Sequence, residues 1–236
     1  MLIRKLREHS RLHKDDIGAI RAFHITVRDL EPGEDFVRQG ERPKASALVV
    51  QGVVARYHLL PDGRRQYLSF HLAGDMPDSQ SLFVEQMDHA VCALGQATLA
   101  SIPHRDIVKA FELRPSLGFA IWRETLIDAA IFREAITNNS ARPAPRRMAH
   151  LFCELYYRSR ASGLTDDATC HAPITLAQLG ETLGMSLASV NRTLAELRGT
   201  GAVDFRGGRI IVHAWDRLAA LADFEPGYLH LRQPPM

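Results

Sequence analysis

The segment from Ile174 to Leu197, ITLAQLGETLGMSLASVNRTLAEL, restricts the fold of this 236-residue chain more than any other. Its first half carries leucines at the spacing of one helix face: Leu176, Leu179 and Leu183. Gly184 follows, at a point where a sharp turn favours a residue that tolerates positive φ. Ser186 then suits the N-cap of a second helix. The segment therefore predicts two short helices joined by a tight turn.

The second helix of this unit has one apolar and one polar side. The apolar side is expected to return to the core: Val190, Leu194 and Leu197. The polar side presents Ser189, Asn191 and Arg192 near the start of the helix, and early positions of the second helix in a helix-turn-helix reach base edges in the major groove. Together with Ser186, these residues are the predicted DNA contacts. Further candidates lie at the start of the first helix: Thr175 and Gln178.

A β-hairpin is predicted directly after the second helix. The residues from Gly201 to Val212 have the pattern of a strand, a Gly207-Gly208 turn and a second strand. Arg206 and Arg209 flank the tip of this hairpin. Helix-turn-helix units are common in α-helical cores, but the order of helix, glycine turn, capped basic helix and basic hairpin is much more specific. The combination predicts a winged helix-turn-helix that binds double-stranded DNA.

Residues from about 33 to 102 have a different pattern, in which short apolar stretches alternate with turn residues. Successive glycines are 12, 11 and 11 residues apart, which is the rhythm of strands joined by turns: Gly40, Gly52, Gly63 and Gly74. In Pro61-Asp62-Gly63, proline presets φ and glycine supplies a positive φ. The pattern predicts an N-terminal antiparallel β-roll of the jelly-roll type, and the chain is expected to be of the α+β class.

The helical pattern from Leu117 onward carries two apolar stripes. One stripe contains Leu117, Ala120, Ile121, Ile127, Ile131 and Ala135, and the other contains Phe119, Trp122, Leu126, Ala129 and Ala130. A helix that is apolar on two sides must be covered twice. It is either a central core helix or a helix that packs on its own β-roll and on a partner's copy. The second interpretation predicts a homodimer, and the expected dimer contacts are Leu117, Ile121, Ile127 and Ile131.

The helix is expected to break at Thr137-Asn138-Asn139-Ser140, because Pro143 and Pro145 follow. A further helix is expected over residues 146–160, and a polar loop over residues 163–173. Three parts are predicted: a β-roll sensor domain over residues 1–116, a dimerisation helix and hinge over residues 117–140, and a DNA-binding domain over residues 141–236.

The composition, with 46% hydrophobic and 24% charged residues, is that of a soluble globular protein. No apolar run approaches the roughly 20 residues that span a membrane, and the basic start has no apolar stretch behind it. A cytoplasmic protein without a membrane partner is therefore expected. The cysteines are too widely spaced for a disulfide framework or a metal cluster, and free thiols are predicted: Cys92, Cys153 and Cys170. A redox sensor at Cys92 or Cys153 is the alternative.

Catalysis finds little support in the sequence, and neither an enzyme nor a metal site is predicted. A metal-dependent oxygenase built on a β-roll needs two closely spaced histidines and a carboxylate. After Gly52 the chain offers His58-Leu59-Leu60, without a second histidine. A Gly-x-Ser-x-Gly elbow and a phosphate-cradling P-loop are also absent from the sequence. A protein that binds a small molecule but no DNA is a further alternative.

Two motifs, Leu183-Gly184-Met185-Ser186 and Val190-Asn191-Arg192-Thr193-Leu194, resemble the Crp/Fnr family of bacterial transcription regulators, in particular its FixK-like branch. The order and length of β-roll, long helix and hinge also match that family. The resemblance implies a homodimer on a palindromic operator, contact with RNA polymerase, and a guanine read by Arg192. Ala188 replaces the family's base-reading glutamate, so a different half-site is expected. Asn191 could supply the missing readout or contact a phosphate.

The resemblance also implies an effector site in the β-roll, and the spacing from Gly74-Asp75 indicates its place. Members that bind cyclic AMP hold its ribose and phosphate with a glutamate and an arginine. This chain has Asp78-Ser79 and His89 at those places. Because burial of a phosphate without a counter-charge is costly, cyclic AMP is not expected.

Two cofactors of related proteins are also not predicted. No cysteine precedes Cys92, so the N-terminal iron–sulfur cluster of the Fnr type lacks its ligands. Haem would need an axial ligand such as His71 or His89, and a surface or hydrogen-bonded histidine is the favoured interpretation of both. The effector stays open, as does regulation by the abundance of the protein alone.

Overall fold

The computed structural model describes residues 1–232. Contacts divide the chain into two compact units, the first from Met1 to Ala129 and the second beginning at Ala130. The boundary between the units lies inside one long helix. Within the described residues, no helix is both long and apolar enough to cross a membrane.

The first unit is built mainly of short antiparallel strands. Its helices are α1 (Leu2–Arg7), α2 (Lys14–Arg21), α3 (His104–Leu113) and the N-terminal part of α4 (Pro115–Ala141). Its strands are β1 (Thr26–Leu30), β2 (Asp35–Val37), β3 (Ala45–Gln51), β4 (Val54–Leu59), β5 (Arg65–His71), β6 (Ala90–Ala93) and β7 (Ala97–Pro103). A 3₁₀ turn at Ser79–Leu82 lies between β5 and β6.

The strands form two antiparallel sheets, with the orders β1-β7-β3 and β2-β6-β4-β5. The predicted β-roll and the α+β class are thereby confirmed. The turn glycines that indicated this fold all have positive φ, between 81° and 105°: Gly40, Gly52, Gly63 and Gly74. Helix α1 was not predicted, yet its Leu2 and Leu6 are buried in the core of this unit.

One apolar stripe of α4 belongs to the core of the first unit. Leu117 and Ile121 are buried there against residues of the strands and of α3, among them Leu48, Ile102 and Ile107. Ile127 is also buried, and Ile131 is half-buried. This corrects the prediction that Leu117, Ile121 and Ile127 form the dimer contact. Because both stripes are apolar, hydrophobicity alone did not show which of them would be buried. The second stripe is exposed at Phe119, Trp122 and Leu126, whereas its Ala130 is buried.

The predicted break at residues 137–140 is wrong, because α4 continues through them to Ala141. Asn138 and Asn139 turn their side-chain amides towards carbonyl groups of neighbouring segments instead of ending the helix. The hydroxyl of Ser140 donates to the carbonyl of Ile136 one turn earlier. Only Arg142 and Pro143 separate α4 from the next helix.

Up to residue 232, the second unit contains the end of α4 and four more α-helices: α5 (Ala144–Ala161), α6 (Leu176–Leu183), α7 (Leu187–Gly199) and α8 (Trp215–Ala222). Its strands are β8 (Thr165–Asp166), β9 (Thr169–His171), β10 (Val203–Arg206) and β11 (Arg209–Val212), and they form one antiparallel sheet in the order β10-β11-β9-β8. The loop predicted over residues 163–173 is therefore a hairpin, whose β9 pairs with β11 from the predicted wing. The helix-turn-helix and its hairpin are confirmed.

Candidate nucleic-acid interface

The first helix of the helix-turn-helix, α6, begins with a complete capping box. The hydroxyl oxygen of Thr175 accepts a hydrogen bond from the Gln178 backbone N–H at 3.2 Å. The Gln178 side-chain oxygen accepts one from the Thr175 N–H at 2.8 Å. These reciprocal bonds satisfy two backbone donors at the helix start. The structure gives both side chains a capping role. Contact of Thr175 and Gln178 with DNA stays a prediction.

Two glycines set the angle between α6 and α7. Gly184 ends α6 in the left-handed region, with φ 63° and ψ 41°, as its place in the sequence predicted. Gly180 was not predicted to matter: a Cβ atom there would lie 2.6 Å from the carbonyl oxygen of Met185. The sequence did contain a signal, because a glycine inside an amphipathic helix usually has a packing reason.

The second helix, α7, is capped by Ser186, whose hydroxyl oxygen accepts a hydrogen bond from the Ser189 N–H at 3.2 Å. One side of α7 is buried: Val190, Thr193, Leu194 and Leu197. The opposite side is exposed: Leu187, Ala188, Asn191, Arg192, Ala195 and Glu196. The structure thus brings the predicted contacts of this helix to its N-terminal half, on the outward face.

Local hydrogen bonds distinguish the polar groups on that face. The Asn191 amide donates to the carbonyl of Leu187 at 3.0 Å, so it is folded back onto its own helix. The Arg192 guanidinium donates to the Ser189 hydroxyl at 3.4 Å, which directs the long side chain towards the start of the helix. Arg192 is therefore the cation of this helix placed to reach a ligand at its N-terminal end.

The hairpin of β10 and β11 carries the two other predicted arginines. Arg206 and Arg209 face each other across its Gly207-Gly208 turn, and both are exposed. Asp204 of β10 forms an ion pair with Arg198 near the end of α7 and accepts a hydrogen bond from its Nε atom at 2.9 Å. Burial acts to raise the pKa of Asp204, but its hydrogen bonds and the charge of Arg198 hold that pKa below the ordinary value. The ion pair fixes the hairpin beside the helix.

Side chains from the end of α4 and the start of α5 hold the turn before α7. The Asn139 amide donates to the carbonyl of Thr182 at 3.1 Å. The Arg147 guanidinium donates to the carbonyls of Leu183 and Arg142. The bonds to Thr182 and Leu183 satisfy carbonyl groups at the C-terminus of α6, which have no partner within the helix.

We expect Arg147→Met to lower the free energy of unfolding of the second unit by about 1.5–3 kcal/mol, because hydrogen bonds from a charged donor are lost. Urea unfolding followed by circular dichroism measures this change. Arg146→Met is the matched control, since exposed Arg146 only approaches Asp223 at 3.7 Å. Equal midpoints for the two variants would show that the Arg147 bonds do not stabilise the turn.

The residues predicted to line an effector site lie in the first unit. Asp78 is fully buried, and its Oδ1 atom accepts a hydrogen bond from the Ala47 N–H at 2.8 Å. Within residues 1–232, its Oδ2 atom has no hydrogen-bond partner. Ser79 is buried at the start of the 3₁₀ turn. His89 is buried, with one ring nitrogen 2.9 Å from Asp88 and the other 3.1 Å from the Gln80 amide. Gly74 lies in the turn after β5, with φ 105°.

The sequence did not reveal a buried arginine among these groups. Arg56 of β4 is 2% exposed, and it donates to the carbonyl of Pro77 at 2.7 Å and to Gln80 at 3.4 Å. It also forms an ion pair with Asp128 of α4. The premise that this region lacks a counter-charge is therefore wrong. A single charge inside the apolar run Val53-Val54-Ala55-Arg56-Tyr57 was the available signal, because a buried charge needs partners.

Burial raises the pKa of Asp78 to about 7. Folding therefore favours the protonated form, and this contribution to stability is lost as pH rises from about 4 to about 7. Asp78→Asn stays neutral. We expect this variant to gain stability relative to the wild type over that range, by up to about 1.4 kcal/mol per pH unit. Urea unfolding at a series of pH values measures the difference.

The control for this measurement is Asp62→Asn. In the wild type, Asp62 is an exposed carboxylate whose hydrogen bonds with Arg64 lower its pKa. This variant should show no such gain between pH 4 and pH 7. If the free energies of unfolding of the wild type and Asp78→Asn changed in parallel with pH, this would contradict the assignment of a protonated, buried Asp78.

The two histidines considered as haem ligands have hydrogen-bond partners. One ring nitrogen of His71 lies 2.9 Å from the Ser69 hydroxyl, and both ring nitrogens of His89 lie near polar groups. No cluster of three potential metal ligands occurs in residues 1–232.

The cysteines are buried free thiols, as predicted. Burial raises the pKa of the Cys92 thiol to about 11 and also raises that of Cys153. Because thiol oxidation proceeds through the thiolate, a redox sensor at either position is disfavoured.

Comparisons with known proteins match both units. A profile of the Crp-like helix-turn-helix domain matches residues 146–221. A profile of the cyclic nucleotide-binding domain matches residues 27–113. The first match contains α6, α7 and the hairpin, and the second contains all seven strands of the β-roll except the first residue of β1.

Two relatives and one solved structure illustrate the similarity. The chain is 27% identical over 210 residues to the nitrogen fixation regulation protein FixK of Bradyrhizobium diazoefficiens, covering 88% of this chain and 87% of the relative. It is 23% identical to electron transport regulator A of Shewanella oneidensis, over 83% of this chain and 78% of the relative. The structure of FixK2 from Bradyrhizobium japonicum superposes with a TM-score of 0.75 at 24% identity, covering 84% of this chain and 97% of that one, which shows a shared fold.

Proposed function

The chain belongs to the Crp/Fnr family of DNA-binding transcription regulators, and on that premise we propose that it binds a palindromic operator as a homodimer through α7. The observation that carries this proposal is the exposed Arg192, directed by Ser189 towards the N-terminal end of a capped helix. An arginine there can donate two hydrogen bonds to O6 and N7 of a guanine in the major groove. Arg206 and Arg209 would contact phosphates beside it.

The exposed stripe of α4 supports the proposed homodimer. Phe119, Trp122 and Leu126 are 69%, 53% and 51% exposed. With Ala129, Arg133 and Ile136 they follow the alternating spacing of three and four residues that forms the seam of a coiled coil. Large apolar side chains in a row rarely stay in water. A second copy of α4 presents the same stripe, so it is the occupant that we propose.

A loop of the β-roll continues this apolar stripe. Phe83 packs edge to face on Trp122, with ring centroids 6.3 Å apart, and both rings are exposed. Val84 beside it is also exposed. In the proposed dimer these residues would widen the contact beyond the two helices.

The proposed division of labour is a sensor domain over residues 1–116, a dimerisation helix over residues 117–140 and a DNA-binding domain over residues 141–236. RNA polymerase is the further partner that family membership suggests, and the cytoplasm is the compartment that suits both partners. The effector stays open. Arg56 already forms an ion pair with Asp128, and the phosphate of cyclic AMP would have to displace it. Cyclic AMP is therefore not the effector that we propose.

A selection of bound sequences from a pool of random duplexes, at fixed and moderate salt, tests the proposal. The full chain should enrich a palindrome whose half-sites are separated by one helical turn, or about 34 Å. Affinity for this operator should fall as salt concentration rises, because phosphate contacts release counterions. A small-molecule-binding protein without DNA activity, or an enzyme, would enrich no sequence and show no salt-dependent affinity.

A further inference from the structure

The chain continues past α8 in a short segment, residues 223–229, which we call the strap. It begins directly after the last residue of α8 and ends in a 3₁₀ turn at Pro226–Leu229. The strap lies beyond residue 221, where the match to the helix-turn-helix profile ends. Phe224 and Leu229 are buried, at 6% and 2% exposure. The strap is therefore packed into the second unit, although the family profile does not include it.

Two aromatic residues of the strap pack against α5. The Phe224 ring lies edge to face on the rings of His150 and Tyr157, with centroids 5.3 and 5.7 Å away. The Tyr228 ring is stacked on His150 at 6.1 Å, and its hydroxyl donates a hydrogen bond to Glu154 at 2.8 Å. The contacted residues of α5 are spaced by four and three positions, so they share one face of the helix. The strap therefore follows a single face of α5.

The end of α4 approaches the same histidine. The Nε2 atom of His150 lies 3.2 Å from a carboxylate oxygen of Glu134, and His150 is 2% exposed. Burial lowers the pKa of His150 to about 4, so the ring is neutral at pH 7 and fills space instead of forming an ion pair. Glu134 is paired with Arg142 at 2.7 Å. A neutral, buried ring thus contacts both α4 and the strap.

The angle between α4 and α5 depends on such contacts, because the link between the two helices is short. Only Arg142 and Pro143 lie between them. A few residues at the ends of elements can absorb the backbone rotation of a hinge, so side-chain packing has to hold the angle. The Asn138 amide contributes one hydrogen bond across the link, to the carbonyl of Arg147. His150, with the strap packed against it, contributes a buried ring.

We propose that the strap fixes the angle between α4 and α5 through His150, and thereby sets the spacing of operator half-sites that the homodimer accepts. The inference rests on the proposed function, in which α4 forms the seam between the copies. The end of α4, α5 and α7 lie in the same unit. A change in the angle between α4 and α5 would therefore move the two α7 helices of a dimer relative to each other. Phe224 and Tyr228 are positioning residues that act on DNA recognition through His150.

Operators with one base pair added or removed between the half-sites test the inference. One base pair changes the rotation between the half-sites by about 35° and their separation by about 3.4 Å. A rigid dimer then loses the specific contacts of one half-site. We expect the wild type to bind these operators about 30-fold more weakly or worse, which is the square root of the roughly 10³-fold lower limit for preference of a specific site over other DNA. Fluorescence anisotropy at fixed salt measures this spacing penalty.

Phe224→Ala removes a ring that supports His150, and it should reduce the spacing penalty to about threefold or less, because the released link can adjust to the new spacing. Phe205→Ala is the matched control. Phe205 is equally buried, at 6% exposure, and its ring also packs on α5, stacked on Phe152 at 5.3 Å. This variant should keep the wild-type penalty. Urea unfolding shows whether the two variants lose comparable stability.

Tyr228→Leu is a second strap variant for the same measurement. Tyr228 is half-buried, so its loss disturbs the core less than the loss of Phe224. The substitution removes both the ring stacked on His150 and the hydrogen bond to Glu154. It should also reduce the spacing penalty. Circular dichroism shows whether each variant is folded, and Tyr228→Leu decides the test if Phe224→Ala is not.

The outcomes separate this inference from the proposed function. If the full chain enriches no sequence, the proposed function fails. If an operator is enriched but the wild type tolerates a changed spacing, the angle is not fixed and the inference is overturned while operator binding stands. It is also overturned if the deciding strap variant keeps the full penalty, or if Phe205→Ala loses the penalty as well. A penalty lost in the strap variant and kept in Phe205→Ala supports the inference.

Discussion

Arg192→Ala is expected to weaken operator binding by about 2–6 kcal/mol, and to relax the preference at one base pair in each half-site. A bidentate contact between arginine and guanine contributes about 1–3 kcal/mol of discrimination, and a homodimer makes it twice. The side chain is exposed and donates to the Ser189 hydroxyl of its own helix, so its removal should leave the fold intact. Anisotropy on the operator and on all single-base variants of it measures both effects.

Arg206→Ala is the matched control, because Arg206 is an exposed arginine at the hairpin tip. As a proposed phosphate contact, it should weaken binding to all sequences to a similar extent and reduce the salt dependence. If Arg192→Ala also loses affinity equally on every sequence, then Arg192 contacts a phosphate and does not read a base.

Leu126→Asp is expected to convert the homodimer into a folded monomer that no longer binds the operator at working concentrations. Leu126 lies in the middle of the exposed stripe of α4, so a carboxylate there is tolerated in the isolated chain. In the proposed dimer two unpaired carboxylates would be buried in the seam, each at a cost of several kcal/mol. Sedimentation velocity measures the species, and circular dichroism shows whether the monomer is folded.

Leu59→Asp serves as the control, because Leu59 at the end of β4 is also an exposed leucine but lies outside the stripe. It should remain dimeric. Ile127→Asp is unsuitable for this test, since Ile127 is only 6% exposed and the carboxylate would disrupt the core. A dimer that persists in Leu126→Asp would show that another surface joins the two copies.

The DNA-binding unit could be predicted from the sequence because its signals are local. Leucine spacing, the Gly184 turn and the Ser186 cap each act within a few residues, and the structure contains all three. The two-glycine hairpin is equally local. The sequence alone did not show the β8–β9 hairpin, since strands of two and three residues are defined mainly by the partner they pair with.

The prediction of a helix break at residues 137–140 failed because it relied on local signals alone. Proline and polar residues after α4 are ordinary signs of a helix end. In the structure, the Asn138 amide donates to the carbonyl of Arg147. The Asn139 amide donates to the carbonyl of Thr182, which is distant in sequence. These tertiary bonds let the helix continue to Ala141. Local signals for a helix end are therefore overridden where side chains form such tertiary hydrogen bonds.

The sequence by itself determined the order of β-roll, long helix and winged helix-turn-helix, because turn chemistry and hydrophobic period depend on neighbours along the chain. Tertiary structure alone decided which stripe of α4 is covered by the first unit and which stays exposed, since both stripes are apolar. It also decided that Arg56 is buried against Asp128, which lies 72 residues away. Burial and charge pairing depend on distances in space, and a linear pattern does not contain those distances.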